Sequence, residues 1–253
     1  MKNHFSLLFL SVFLMLVNAA GAQQPEDATA IVRKADERMR GKTSIADMTI
    51  TTVRPKWTRS MDIKAWTKGA DLALILVKSP AKDKGTAFLK RKKEVWNWLP
   101  TLERTIKLPP SMMSQSWMGT DFTNDDLVKE SSMVEDYEQK LLGSEQQGDR
   151  DCYKIELVPK PDAAVVWGKI IVWIDKKDYI ELRTEFYDEN GALSQTMIGH
   201  DLKMLGGKLL PSRMEMTPVG KPGQKTEIVY KSLLFDTPLE DSFFTTENMT
   251  KVK

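Results

Sequence analysis

The sequence predicts an α+β fold, mainly β, in which one long antiparallel sheet curls into a barrel or half-barrel with a helix at its N-terminal end. Three observations carry this. Period-two alternation of apolar and polar residues begins beyond Gly41 and holds to Phe235. Turn-forming residues interrupt it every roughly 8–12 residues, the spacing of sandwiches and barrels. Only Pro25–Arg40 shows a clear 3.6-residue stripe, and no Pro/Ser linker or repeat divides the chain.

In chain order, residues 1–22 carry Lys2, an apolar run from Phe5 to Val17 and the small residues Ala20-Gly21-Ala22. That order is a secretory signal peptide cleaved near Ala22, and the run is too short to span a bilayer. Residues 23–253 are then a single exported domain. Pro25–Arg40 follows as a helix: Pro and acids at its start, Ile31, Val32, Ala35 and Met39 on one stripe, Gly41 as its stop.

Ser44–Val53 and Ser60–Thr67 alternate as half-buried strands, with Trp66 on the face opposite Met61, Ile63 and Ala65. Asp71–Ser79 is apolar on both faces, as a central strand should be. Thr86–Arg91 and Glu94–Pro100 form a hairpin whose basic tip is Lys90–Lys93. Thr123 or Asn124 caps a short helical turn containing Leu127. Met133–Glu145 fits strand or helix, and its place among strands favours strand. Asp151–Val158, Trp167–Asp175, Tyr179–Asp188, Ser194–Leu205, Leu210–Thr217 and Thr226–Phe235 complete the meander, for roughly ten or eleven strands in all.

One stretch does not fit the strand pattern. Trp96–Leu127 opens as a strand, breaks at Pro109-Pro110, and then carries Met112, Met113, Trp117, Met118 and Phe122 through a Ser-rich, irregular segment. Neither proline donates a backbone N–H to a ladder, so these large apolar side chains ride on a loop. A Met- and Trp-rich loop needs an apolar partner, either an apolar cavity that it closes or its own domain's core. Met is the adaptable lining for a cavity that takes chains of varied shape, and equally a core filler. Met48, Met61, Met197, Met204, Met214 and Met216 sit at strand positions that suit either role. Trp96 and Trp98 share one face of their strand and either line the cavity or close a barrel end.

Composition excludes several classes. The net charge of +2, without long like-sign runs, gives no nucleic-acid footprint. Cys152 is the only cysteine and alternates with Tyr153, Ile155 and Leu157 in a strand, which reads as a structural thiol. Beyond the signal peptide His200 is the only histidine, too few for a catalytic triad or zinc cluster. The string from Asp121 to Asp126 lacks the spacing of a calcium loop, Ser79–Lys82 lacks the companion motifs of a penicillin-binding serine, and no phosphate-binding glycine loop occurs. No catalytic residue, metal or cofactor is expected.

Several features in sequence resemble the LolA-like family of periplasmic proteins, in its branch of outer-membrane lipoprotein-sorting proteins. They are the helix Ala28–Met39, the W-x-W-L-P run Trp96–Pro100, Ser116–Leu127 (SWMGTDFTNDDL), the strands Tyr153–Val158 and Ile170–Asp175, and Phe243-Phe244-Thr245. The M-G-x-D-F-[ST]-x-x-D-L string from Met118 to Leu127 is the most specific of these. The resemblance implies a strongly curved, incomplete β-barrel with helix and loop as a lid over an apolar cavity. It implies a monomeric, non-catalytic carrier that shields lipoprotein acyl chains or other lipid between membranes. Cavity and lid candidates are then Met48, Met61, Trp96, Trp98, Met112, Met113, Trp117, Met118, Phe122, Met214 and Met216. Founding members of the family latch the lid with a strand arginine, but no local motif assigns that role to Arg54 or Arg59. A second reading is an accessory subunit that docks on an inner-membrane transporter.

Overall fold

The computed structural model describes residues 27–129 and 132–252, so the signal-peptide expectation lies outside the described residues. Thirteen strands form one curved antiparallel sheet, more than the alternation alone suggests. The first half is β1 (Thr43–Arg54), β2 (Trp57–Lys68), β3 (Leu72–Ser79), β4 (Ala87–Arg91), β5 (Glu94–Leu99) and β6 (Arg104–Lys107). The second is β7 (Tyr137–Gln147), β8 (Arg150–Pro159), β9 (Lys169–Asp175), β10 (Glu181–Tyr187), β11 (Leu193–Leu205), β12 (Lys208–Pro218) and β13 (Lys225–Phe235). Met133–Glu145 resolves as strand from Tyr137 onward.

The strand order is β6-β5-β4-β3-β2-β1-β13-β12-β11-β10-β9-β8-β7, two meanders joined where β1 pairs with β13. This order leaves β6 and β7 as the two edges, although they are consecutive in sequence. The segment from Leu108 to Asp136 must therefore travel from one edge to the other. It does so across the concave side, where Met113, Trp117, Phe122 and Val134 join the main core.

Helix α1 (Ala28–Arg40) closes the same side from the β7 end. Asp27 caps it by accepting from Ala30 N at 3.3 Å, and Ala28, Ile31, Val32 and Ala35 are its buried stripe. Gly41 ends it at φ 65°, donating to Glu37 O, and a Cβ there would stand 2.8 Å from the Phe235 ring. Outside the apolar stripe, Thr29 bonds Gln139 at 3.0 Å and Lys208 donates to Arg38 O at 3.0 Å.

The convex side of the first half is also covered. Leu74 and Leu76 of β3, Ala87 and Leu89 of β4 and Trp66 of β2 form a second cluster with Phe244 and Met249 from the C-terminal segment, which ends in the short helix α2 (Thr246–Met249). This cover is why β3 is apolar on both faces.

Candidate functional site

The inner face does not fill itself. Two adjoining chambers, of about 240 and 170 Å³, lie between the sheet, α1 and the crossing segment. Asp36, Met39, Asp126, Leu127, Ile228 and Tyr230 border both and form the partition between them. The larger chamber reaches towards β9–β12 through Ile170, Phe186, Met197, Leu210, Met214 and Met216. The smaller one lies over β1–β3, against Ala46, Met48, Ile63, Ala65 and Ile75, under Trp117.

The crossing segment is tied down at defined points. Trp117 packs its ring 5.4 Å from Phe88, an inward residue of β4. Met118 and Gly119 adopt left-handed φ values of 49° and 81°, a reversal that turns their carbonyls towards the β1–β2 hairpin. There Arg54 donates to Gly119 O at 3.2 Å and to the Asp121 carboxylate at 2.9 Å. Arg59 donates to Met118 O at 3.2 Å while its other nitrogen holds Asp83 at 2.6 Å. Asp121 is bonded reciprocally to Thr226, its N–H donating at 3.0 Å and its carboxylate accepting at 2.7 Å. Two strand arginines thus clamp the M-G-T-D string, which a local motif search does not reveal because the partners are far apart in sequence.

Past the clamp, Thr123 caps the helical turn that continues as Asp125–Lys129. Asp126 N donates to Thr123 Oγ1 at 3.1 Å and Thr123 N to the Asp126 carboxylate at 2.8 Å, a reciprocal capping box. Trp167 Nε1 donates to the other oxygen of Asp126 at 2.9 Å. Burial pushes the Asp126 carboxyl above its ordinary value, aided by the neighbouring Asp125 charge and opposed by the bonds from Thr123 and Trp167. Burial, with Asp125, Asp126 and Asp136 nearby, likewise raises the Tyr137 phenol.

Of the sequence-predicted residues, Phe122, Met214 and Met216 line the larger chamber, and Met48 and Trp117 the smaller. Met61 and Met113 are buried in the same inner core without bordering either chamber, and Met112 and Met118 pack against it half-buried. Trp96 and Trp98 require a correction. They pair with Leu89 and Ala87, residues of the convex cluster, so register places both Trp side chains on the outer face. Met204 is 66% exposed near the β11–β12 turn and also leaves the set, whereas Met197 stays.

Sequence reasoning missed Tyr137, Trp167 and Tyr230, and above all the carboxylates Asp36, Asp125 and Glu181 at the hollow. Glu181 looks outward by strict alternation. A bulge between Glu181 and Arg183 brings it opposite the inward Ile174 instead. Cys152 is fully buried in a third cluster with Ile171 and Trp173, and burial pushes its thiol up to about 11, in keeping with a structural role.

A family model described only as uncharacterized-protein-like matches residues 69–251. No curated protein matches the chain. Among solved structures, a putative outer membrane lipoprotein-sorting protein domain from Vibrio parahaemolyticus is 28% identical, with TM-score 0.78 over 88% of this chain and 98% of that one. A LolA superfamily protein from Nitrosomonas europaea is 25% identical, with TM-score 0.76 over 87% and 98%. A DUF1329 family protein from Desulfovibrio piger, 22% identical, shares the fold at TM-score 0.80 over 88% and 97%.

Proposed function

From the premise that this chain belongs to the uncharacterized-protein-like family matched over residues 69–251 and is LolA-like in fold, we propose that it is a periplasmic carrier of acyl chains, non-catalytic and acting alone. Its cargo is the lipid part of lipoproteins or another lipid on its way towards the outer membrane. The observation that carries this reading is the apolar hollow that the sheet, α1 and the crossing segment enclose but do not fill. Exposing an acyl chain to water costs about 0.8 kcal/mol per CH₂, so transfer between membranes needs a protein surface that replaces the bilayer.

Each chamber is smaller than the roughly 300–1,000 Å³ of ordinary ligand pockets. Loading therefore requires the partition residues Leu127 and Met39, or the segment that carries Leu127, to move. The Arg54 and Arg59 clamp sets how readily that segment lifts. Met at several wall positions lets the lining follow tails of different shape.

Native mass spectrometry of protein purified from its own periplasm tests the proposal. Bound lipid or lipoprotein supports it. An empty protein that co-purifies with a membrane transporter would favour the accessory-subunit reading instead.

A further inference from the structure

Acyl chains come with very different heads, and the walls of the hollow are chemically one-sided. Four carboxylates border the larger chamber: Asp36 from α1, Asp125 and Asp126 from the helical turn, and Glu181 from the β10 bulge. Among the described residues no lysine, arginine or histidine lines that chamber. Arg40 borders the smaller one, and it grips Asp36 through two bonds of 2.8 and 3.3 Å. Of the other polar wall groups, the Thr184 hydroxyl and the Trp167 indole donate to Glu181 and Asp126, and Tyr137, Tyr179 and Tyr230 add uncharged phenols.

A second observation points to a ligand. Trp117 is fully buried in the wall of the smaller chamber, and its indole N–H has no acceptor among the described residues. Buried donors of this kind are rare because leaving one unmade disfavours the fold, and a ligand oxygen would satisfy it.

Taken with the carrier reading, on which this step rests, we infer that the hollow selects acyl ligands whose buried head carries no negative charge. Such a head donates hydrogen bonds to the carboxylates and offers a carbonyl oxygen to Trp117. Hydroxyl and amide heads supply both the donor and an acceptor oxygen, and an ammonium head supplies the donors alone. A free carboxylate or a phosphate would be enclosed beside like charges, with no cation free to pair with it, and repulsion is strongest in such a poorly screened space.

The test compares tails of one length on three heads, monomyristoylglycerol, myristylamine and myristic acid, with the delipidated full mature chain. Binding is read from tryptophan fluorescence and confirmed by native mass spectrometry. The glyceride and the amine are expected to bind at least tenfold more tightly than the acid at neutral pH. Glu181→Gln, which keeps the side chain's size, and Asp36→Asn, which releases Arg40, should each narrow that gap by raising affinity for the acid. Equal affinity for all three heads, or a gap unchanged in both variants, overturns the inference and leaves the carrier reading standing. Failure of every tail to bind overturns the carrier reading, and the head preference with it.

Discussion

Strands β3 and β4 are apolar on both faces, and the chain finishes the two faces in opposite ways. On the convex face, Trp66, Trp96 and Trp98 meet Phe243 and Phe244 from the C-terminal segment, with ring centroids 5.4 Å apart for Trp66–Phe243 and 5.3 Å for Phe243–Phe244. Here rigid rings pack against one another in tilted and edge contacts. On the concave face, a loop and a helix cover the sheet without filling it, and methionines border the gap. The convex cover comes from residues 239–252, and the concave one includes a segment strung between the two edge strands.

The largest expected effect separates these two roles. Phe244 is fully exposed to neighbours and not to water, at 0% accessibility, so Phe244→Ala removes a tightly packed ring from the seal. The cost should be about 3–5 kcal/mol in urea denaturation. A loss below about 1 kcal/mol would show that the convex cover is as loosely held as the concave one. Next comes the clamp. Arg54→Ala removes the donors to the exposed Gly119 O and to the largely buried Asp121 carboxylate, and should lower stability by about 2–3 kcal/mol. Amide hydrogen exchange should rise in residues 117–124 before it rises in β1. Uniform acceleration across the sheet would mean that the arginine braces the fold rather than the cover.

At the wall of the hollow the expectation is smaller. Met214 already faces empty volume, so Met214→Ala deletes fewer contacts than a fully packed core methionine and should cost about 1–2 kcal/mol, below the usual core range. The filling variant Met214→Trp should keep its thermal midpoint within a few degrees and reduce co-purified lipid severalfold. Lipid retained at the parental level would place the cargo elsewhere.

How much of this contrast was legible in the sequence depends on whether a residue's face is set by local alternation or by a distant partner. The strands, α1, the doubly apolar β3 and the displaced segment after Pro109-Pro110 are local patterns and could be read directly. Trp117 and Phe122 followed because large apolar groups on a loop must be covered. The side of Trp96 and Trp98 could not be read, because alternation says only that they agree, and nothing near them says that Phe243 and Phe244 return to cover that face. Glu181 was missed because a bulge shifts the parity of β10. Arg54 and Asp121 lie 67 residues apart, so their meeting depends on the strand order alone.

The smallest expected effect contrasts the carboxylates of the two surfaces. Outside, Asp62 accepts from Lys231 at 2.6 Å and from Thr49 at 2.7 Å, which hold its carboxyl down at about 2 from 3.8. A folded value below the unfolded one means that the stabilisation is fully present above pH 3.8 and is lost as pH falls through about 2. Because Asp62 is substantially exposed, solvent screening limits its worth to no more than about 1 kcal/mol. Inside, Asp126 is raised, so its ionisation opposes folding. That penalty is absent below the unfolded value, grows as pH rises from there and is complete above the folded one. Asp62→Asn should therefore flatten the acid limb of the stability curve between pH 3.8 and about 2, while Asp126→Asn should gain relative to the parent as pH increases. Urea midpoints measured across pH 2–8 check both signs, and parallel curves for the two variants would mean that the hollow is as well solvated as the outer face.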